Sequence, residues 1–294
     1  MTARPYTGER DLPAVLDLLA DCQAGGLVDM ELRSIELRLA LENPNLDLVR
    51  HTLLLETPDG EPLGFALLWH GEYLGALIQP RARGRLEERL LAWAEGASGG
   101  GRLWALCRDD DGPMCDFYQR RGFAVADEEL RMARALDGPI PEPGVPEGFG
   151  VRPLAGDELE AWLALYAEAF GPRTAALRKW RAYRTDPDYD RTLDLVAVDR
   201  QGELAAMGTC SVASLEAARS PRPEGRTEPI AVRERYRGRG LGRAMVLSGL
   251  RLLQARGMAV AALTTEVSNA PARRLYESLG YREIYRARWY ARGG

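Results

Sequence analysis

Apolar and polar positions along this chain follow two rhythms, and the order of the rhythms occurs twice. Near the start, "GERDLPAVLDLLADC" sets an acidic helix start ahead of apolar residues spaced three and four apart, the period of an amphipathic helix. After residue 150, "AGDELEAWLALYAEAF" repeats that arrangement. In this second half the spacing predicts a strand near Gly150–Pro153, a helix over Asp157–Phe170, and strands over Leu193–Val198 and Leu204–Val212. It then predicts a strand over Thr227–Val232, a helix from Gly240, a strand over Ala259–Thr265, a helix over Ala270–Leu279 and a terminal strand near Arg282–Tyr290.

Two further pairs strengthen the repeat. "RARGRLEERLLAWAE" (Arg81 to Glu95) matches "YRGRGLGRAMVLSGL" (Tyr236 to Leu250), and "DFYQRRGF" (Asp116 to Phe123) matches "RLYESLGY" (Arg274 to Tyr281). Amphipathic helices resemble one another by chance, but three pairs in one order point to a duplicated unit. Between the copies, "DGPIPEPGVPEGF" holds four prolines, which deny the backbone the donors of a helix or central strand. The expected organisation is a first domain over 1–137, a proline-rich linker over 138–149 and a second domain over 150–294. Each domain is a mixed α/β unit.

Composition narrows the classes of function. A chain of 294 residues with 46% hydrophobic and 28% charged residues is ordinary for two globular domains. A net charge of -4 argues against a general nucleic-acid binder, so any anion site must be local. Cys22, Cys107, Cys115 and Cys210 form no CxxC pair, and with only His51 and His70 no metal-site spacing appears. The thiols are expected reduced and buried. Neither a signal-peptide core nor an apolar run of membrane-spanning length is present, so a cytoplasmic protein without membrane or nucleic-acid partners is expected.

The stretch that asks for a ligand is "EPIAVRERYRGRGLGRAM", Glu228 to Met245. A strand that enters Arg237-Gly238-Arg239-Gly240-Leu241-Gly242-Arg243 and then a helix offers free main-chain N–H groups at a helix N-terminus, which attract phosphate. Glycine matters because a Cβ would hold the anion away, while Arg235, Arg237, Arg239 and Arg243 add charge. No lysine or hydroxyl follows as a P-loop requires, and residue 243 is Arg where a dinucleotide fingerprint needs Gly. An RGG-type RNA-binding segment is disordered, whereas this loop is bounded by an apolar strand and an apolar helix. A plain tight turn is the remaining alternative.

This segment resembles the acyl-CoA loop of the GNAT superfamily of N-acetyltransferases, R/Q-x-x-G-x-G/A directly after a strand, with Arg237, Gly240 and Gly242 in the defined positions. Downstream, "SNAPARRLYESLGYRE" resembles the family's N-x-x-A-x-x-L-Y-x-x-x-G-F/Y segment through Asn269, Ala272, Leu275, Tyr276, Gly280 and Tyr281. The duplicated order with a degenerate first half resembles the tandem architecture of the mycothiol synthases, which acetylate a cysteinyl pseudodisaccharide. The resemblance implies that the pyrophosphate of acetyl-CoA sits on the amides from Arg237 to Gly242, with Asn269 as a further contact. The pantetheine arm would run along Ile230, Ala231 and Val232. Pro229, which cannot donate to a ladder, suits the point where that strand parts from its neighbour. In the first half, Leu86 and Glu88 are aligned with Gly240 and Gly242, with Glu87 between them. Side chains and negative charge thus fill the phosphate space, and this copy is not expected to bind acetyl-CoA in the usual way.

Acetyl transfer to an amine needs a neutral nucleophile, a polarised thioester carbonyl and a proton for the departing thiolate. No histidine follows His70, so a carboxylate must serve as base. Glu228, which by period-two alternation shares a face with Ile230 and Val232, is the candidate. A solvent-facing charge or an Arg partner is the competing role. Tyr276 occupies the family's general-acid position, with core packing beside Leu275 and Leu279 as the competing role, and the resemblance gives the thioester oxygen to an N–H near Val232. Asn269 is also expected as an N-cap before Pro271, and Gly280 as a helix C-cap. In "RTDPDYDRTLD", Asp186, Asp188 and Asp190 either attract a cationic amine or build a solvated turn. The expected function is acetyl-CoA-dependent transfer to a primary amine of a small molecule, catalysed by the second domain of a monomer whose halves form a pseudo-dimer. An inactive acyl-CoA-binding sensor or scaffold, and a protein or peptide N-acetyltransferase, stand as alternatives.

Overall fold

The structure, a computed structural model, describes residues 1–26, 32–43, 45–171, 180–181 and 183–293. The chain divides into two compact units, Met1–Leu130 with Tyr285–Gly294, and Arg131–Ile284. Both are mixed α/β.

In the first unit the chain runs through β1 (Thr2–Arg4), α1 (Leu12–Ala24), α2 (Ser34–Leu41), α3 (Leu48–His51), β2 (Thr52–Glu56), β3 (Pro62–Trp69), β4 (Tyr73–Ile78), α4 (Glu87–Ser98), β5 (Leu103–Arg108), α5 (Gly112–Arg120) and into β6 (Ala124–Ala135). Strands β1 to β4 pair antiparallel in sequence order, and β4 meets β5 in parallel. Alternation along β3 sends Phe65 and Leu67 toward Val15, Leu18 and Leu37 of α1 and α2, and Ala66 and Leu68 toward Leu90 and Leu91 of α4. A sheet covered on both faces reads as a nearly continuous apolar run, which is why "FALLW" shows no polar positions. The last strand of the chain reaches this unit, because Ala287 to Arg292 pair antiparallel with Arg108 to Leu103 of β5. The expected boundary gave that strand to the second domain.

The second unit contains β7 (Phe149–Pro153), α6 (Leu159–Phe170), β8 (Asp194–Asp199), β9 (Leu204–Thr209), β10 (Ser211–Val212), α7 (Ser214–Arg219), β11 (Glu224–Arg226), β12 (Ile230–Val232), α8 (Leu241–Ala255), β13 (Val260–Glu266), α9 (Ala270–Ser278) and the start of β14 (Arg282–Arg292). One ladder runs β12–β9–β8–β7, all antiparallel. Trp162, Leu163 and Leu165 of α6 cover one face, against Val196, Met207 and Ala231; Leu241 and Met245 of α8 cover the other, against Leu195, Ala197 and Ala206. A second ladder joins β10 to β11 antiparallel and β11 to β13 in parallel.

The proline-rich stretch is a strap rather than a free linker. Gln254 Nε2 donates to the carbonyls of Leu136 and Gly138 at 2.7 and 2.9 Å, and Arg251 Nη1 donates to that of Ile140 at 3.2 Å. Ile140 is buried, so residues 138–149 belong to the second unit by their packing on α8. All four cysteines are free and buried. Among the described residues no helix is long and apolar enough to cross a membrane.

Candidate active site

The segment expected as one strand, Thr227–Val232, is the crossing between two ladders. Its predecessor β11 lies parallel to β13, and the last bond between them runs from the Thr227 N–H to the Ala262 carbonyl at 3.1 Å. Two residues later the Pro229 carbonyl accepts the Thr209 N–H at 3.0 Å, so the chain has already moved to β9. The Arg233 N–H then donates to Ala205 at 2.9 Å. Bonds at residues 229 and 233 fix the alternation along β12: odd residues face β9, and Ile230 and Val232 turn their main-chain groups to the other edge. Among the described residues no strand pairs with that edge of β12, and of its outward groups the Val232 carbonyl is taken by Arg237 Nε.

Glu228 stands at the apex of this wedge. Its Oε2 accepts the N–H of Thr264 on β13 at 2.6 Å, and its Oε1 lies 3.4 Å from Nη1 of the buried Arg226. A main-chain donor that β11 no longer reaches is thus taken by a side chain. The expected pleat shared with Ile230 and Val232 is interrupted at residues 227–229, because β11 ends at Arg226 and β12 begins at Ile230. Glu228 therefore bridges the diverging strands and does have an Arg neighbour.

The loop after β12 makes a single 3-10 turn over Glu234–Tyr236, after which Arg237 donates from Nε to the Val232 carbonyl at 3.2 Å. Gly238 has φ +74° and Gly240, the N-cap of α8, has φ +92°. Only glycine adopts such values without strain. The helical ladder begins with the Ala244 N–H donating to the Gly240 carbonyl at 3.0 Å, so the amides of Leu241, Gly242 and Arg243 precede it and point out of the helix end. Gly242 has an additional reason to lack a side chain, since a Cβ there would lie 3.3 Å from Leu275 Cδ2 on α9. The arginines are deployed unevenly. Arg235 is paired with Glu203, Arg239 lies over the Tyr236 ring at 5.5 Å, and Arg243 reaches Ser278 Oγ at 3.5 Å. The loop fits a pyrophosphate by its outward amides and its glycine conformations, with fewer free guanidinium groups than the sequence suggests.

Helix α9 brings the third component. Asn269 caps it, Oδ1 accepting the Ala272 N–H at 3.3 Å, with Pro271 in the first turn. Gly280 follows the helix with φ +88°. Tyr281, fully buried, shares a 2.7 Å hydrogen bond between its hydroxyl and Thr227 Oγ1, which ties the end of α9 to the wedge apex. The sequence motif includes Tyr281, but nothing in its spacing announces that bond. The half-buried Tyr276 packs its ring 5.8 Å from that of Tyr281. Burial, and then the nearby Glu228 charge, push the Tyr276 hydroxyl up to about 12. It therefore remains a phenol at neutral pH and can donate a proton.

A strand edge, an outward-facing glycine loop, a phenol and a carboxylate meet in one wedge. The Acetyltransferase (GNAT) family pattern matches residues 157–281, which lie inside the second unit. A mycothiol acetyltransferase from Thermomonospora curvata is 34% identical over 245 residues, covering 79% of each chain. One from Salinispora arenicola is 32% identical over 298 residues, covering 97% of this chain and 94% of its own.

The chain belongs to the GNAT acetyltransferase family.

It is an acyl-CoA-dependent N-acetyltransferase of the tandem form. A GCN5-related N-acetyltransferase from Sphaerobacter thermophilus superposes with a TM-score of 0.71 at 25% identity, over 99% of this chain and 95% of that one. A tandem GNAT protein from the clavulanic acid biosynthesis pathway shares the fold, with a TM-score of 0.75 at 16% identity, over 99% and 98% of the two chains.

Within the GNAT frame the first unit's loop closes on itself. Its turn Pro80–Ala82, Arg83 with φ -61° and ψ 148°, and Gly84 with φ +78° reproduce the turn before Arg237, Arg237 with φ -63° and ψ 156°, and Gly238. That register places Leu86 at the position of Gly240, one residue away from the match of Arg81 with Tyr236. Leu86 has φ -110° where Gly240 has +92°, so the loop takes a different path. Glu87 then folds back: Oε1 accepts the Gly84 N–H at 2.7 Å and Oε2 that of Leu86 at 3.1 Å. Amides that could hold a phosphate hold the protein's own carboxylate. Tyr118, the counterpart of Tyr276, is buried in the first unit's core beside Phe123 and Tyr290.

The three aspartates of "RTDPDYDRTLD" serve the local structure. Asp186 accepts the Asp188 N–H at 2.8 Å, Asp188 accepts the Ser214 N–H at 3.2 Å, and Asp190 pairs with Arg256 at 2.6 Å. Their bonds build a turn and pin it to α7 and α8. The stretch 172–179 that precedes them lies outside the described residues.

Proposed function

We propose that the second unit transfers an acetyl group from acetyl-CoA to the primary amine of a small molecule, and that this acceptor is a cysteinyl pseudodisaccharide of the mycothiol type. The observation that carries the reading is the convergence of the β12 edge, the outward amides of Leu241 to Arg243 and the Tyr276 phenol in one wedge. The relatives named mycothiol acetyltransferase, two of which match most of the chain, support the acceptor.

The pyrophosphate sits on the Gly238–Arg243 amides, and the pantetheine amides bond to Ile230 and Val232 along that edge. That arm directs the thioester toward Glu228 and Tyr276. A main-chain N–H near Val232 polarises the carbonyl. The amine nitrogen forms the new C–N bond and its proton passes to Glu228, directly or through water; as the C–S bond breaks, Tyr276 donates its proton to the thiolate sulfur. Arg226 steadies the carboxylate that takes the amine proton. The self-occupied loop of the first unit favours one acetyl-CoA per chain, in the second unit.

Isotopic acetyl transfer to a cysteinyl pseudodisaccharide of the mycothiol type, to simple primary amines and to peptide N-termini, combined with calorimetry of acetyl-CoA binding, tests the reading. The expected result is preferred N-acetylation of the pseudodisaccharide and a stoichiometry near one. Preferred acetylation of the peptide would overturn the acceptor, and a stoichiometry near two would overturn the assignment of a single donor site.

A further inference from the structure

We propose, resting on the reading of Tyr276 as acid and Glu228 as base, that Tyr281 is a positioning residue for acetyl transfer. The bond between its hydroxyl and Thr227 holds helix α9, and with it the Tyr276 phenol, against the segment that carries Glu228. The sequence motif admits Phe or Tyr at residue 281, so the pattern alone gives that hydroxyl no task.

Both ends of this strut are fixed. At the helix end, the Tyr281 N–H donates to the Tyr276 carbonyl at 3.1 Å, and the same carbonyl accepts the Leu279 N–H at 3.0 Å. The two rings lie 5.8 Å apart, inclined by 58°, so residues 276 and 281 form one local piece. At the other end, the Tyr281 hydroxyl and Thr227 Oγ1 are 2.7 Å apart, and both residues are fully buried. Thr227 is itself pinned twice. Its N–H donates to Ala262 of β13 at 3.1 Å, and its Cγ2 faces α8 at Gly249, where a Cβ would lie 3.4 Å away. That Cβ would also come within 2.7 Å of Cys210 Sγ, so the helix backs Thr227 this closely only because residue 249 is glycine.

The acid depends on this strut more than the base does. Glu228 has its own anchor, because its Oε2 accepts the Thr264 N–H of β13 at 2.6 Å whether or not residue 281 keeps its hydroxyl. Helix α9 is differently placed. It has nine residues, none of them buried, and its buried anchors are Leu279 and Tyr281, which follow it. An element with so little buried apolar surface takes its position from its end contacts. When the Tyr281 hydroxyl is lost, α9 is therefore the part that shifts, and Tyr276 shifts with it. A displacement of about 1 Å in a reacting group costs about a hundredfold in rate.

The test measures single-turnover acetyl transfer and acetyl-CoA binding on the full-length protein, with whichever of the three acceptor classes above reacts fastest. Tyr281→Phe is expected to slow the transfer step about tenfold to a hundredfold while acetyl-CoA affinity stays within about twofold. Thr227→Val removes the same bond from its other end and is expected to match that loss; Thr227→Ser, which keeps a hydroxyl, is expected to recover most of it. In a Tyr276→Phe background, Tyr281→Phe should slow transfer by less than about threefold more, because the group it positions is gone. A purely structural role would slow both backgrounds alike. If Tyr281→Phe fails to fold, the two Thr227 variants decide in the same two backgrounds. A wild-type rate in Tyr281→Phe, losses that multiply with that of Tyr276→Phe, or a fall in acetyl-CoA affinity that accounts for the loss would each overturn the proposal. A wild-type rate in Tyr276→Phe would overturn the acid assignment and this proposal together, whereas a slow Tyr276→Phe beside a fast Tyr281→Phe overturns the proposal alone.

Discussion

Gly240→Ala is the sharpest probe of the donor loop, because it adds one methyl group to a residue whose conformation is the whole argument. Gly240 sits at φ +92°, and the added Cβ would lie 3.6 Å from Pro146 Cγ, an ordinary contact. Crowding therefore contributes little, and the penalty is the left-handed backbone, about 1–2 kcal/mol for an alanine. The chain has two responses. If φ stays positive, the unit loses that stability and its melting temperature falls by about 2–8 °C, at about 2–4 °C per kcal/mol for a domain of this size. If the residue relaxes toward the conformation of Leu86, φ -110° and ψ -20°, the strain disappears but the amides turn away from the anion. Acetyl-CoA affinity then falls by about fivefold to thirtyfold for the same 1–2 kcal/mol. Thermal melts with and without acetyl-CoA, paired with calorimetric titration, separate the two. A variant with wild-type melting and affinity within twofold of wild type would refute the reasoning, since Gly240 would then be replaceable and the loop an ordinary turn.

Other expectations follow from the same wedge. Tyr276→Phe should lower kcat by about a hundredfold or more while acetyl-CoA affinity barely changes, in single-turnover and binding measurements. Since burial holds this hydroxyl at about 12, above its unfolded value of about 10, its neutral form adds stability below pH 10 that is lost between the two values. No decline in kcat from Tyr276 ionisation should accordingly appear below about pH 10. Glu228→Gln should depress the maximal rate at neutral pH and recover part of it as pH rises and free amine becomes abundant; an unchanged pH-rate profile would remove Glu228 as base. The same change deletes a carboxylate facing buried Arg226, so a loss of about 1–3 kcal/mol in denaturant unfolding should accompany it. Glu87→Ala should destabilise the first unit by about 0.5–2 kcal/mol, the range for losing a cap, yet leave one acetyl-CoA per chain in calorimetry because Leu86, with φ -110°, keeps this loop on a path unlike that of Gly240.

Local chemistry is what the sequence determined unaided. The glycines of the second loop, the Asn269 cap and the capping of the first loop by Glu87 depend on residues within a few positions of one another and are legible because φ preferences and helix-end hydrogen bonds are short-range, whereas Leu86 packs into the core and Glu88 pairs with Arg121 instead of filling the loop. Burial patterns likewise placed most strands of the second half within a residue or two, but they missed β11 and drew Leu204–Val212 as one strand where β9 and β10 belong to different ladders; Thr227–Val232 was also drawn as one strand where the chain passes between ladders. That division was decided by tertiary structure: Thr227 bonds to Ala262 and Pro229 to Thr209, partners far apart in sequence, and period-two alternation states which face is buried without naming the neighbour. For the same reason only the fold showed that Glu228 takes the Thr264 N–H, that Tyr281 holds Thr227, and that Ala287 to Arg292 pair with β5 of the first unit. The aspartates at 186, 188 and 190 looked available because their partners, Ser214 and Arg256 among them, come from later elements. Hydrogen-bond capacity is written residue by residue in the chain, but which donor meets which acceptor is settled by long-range pairing, and pairing is a property of the folded sheet.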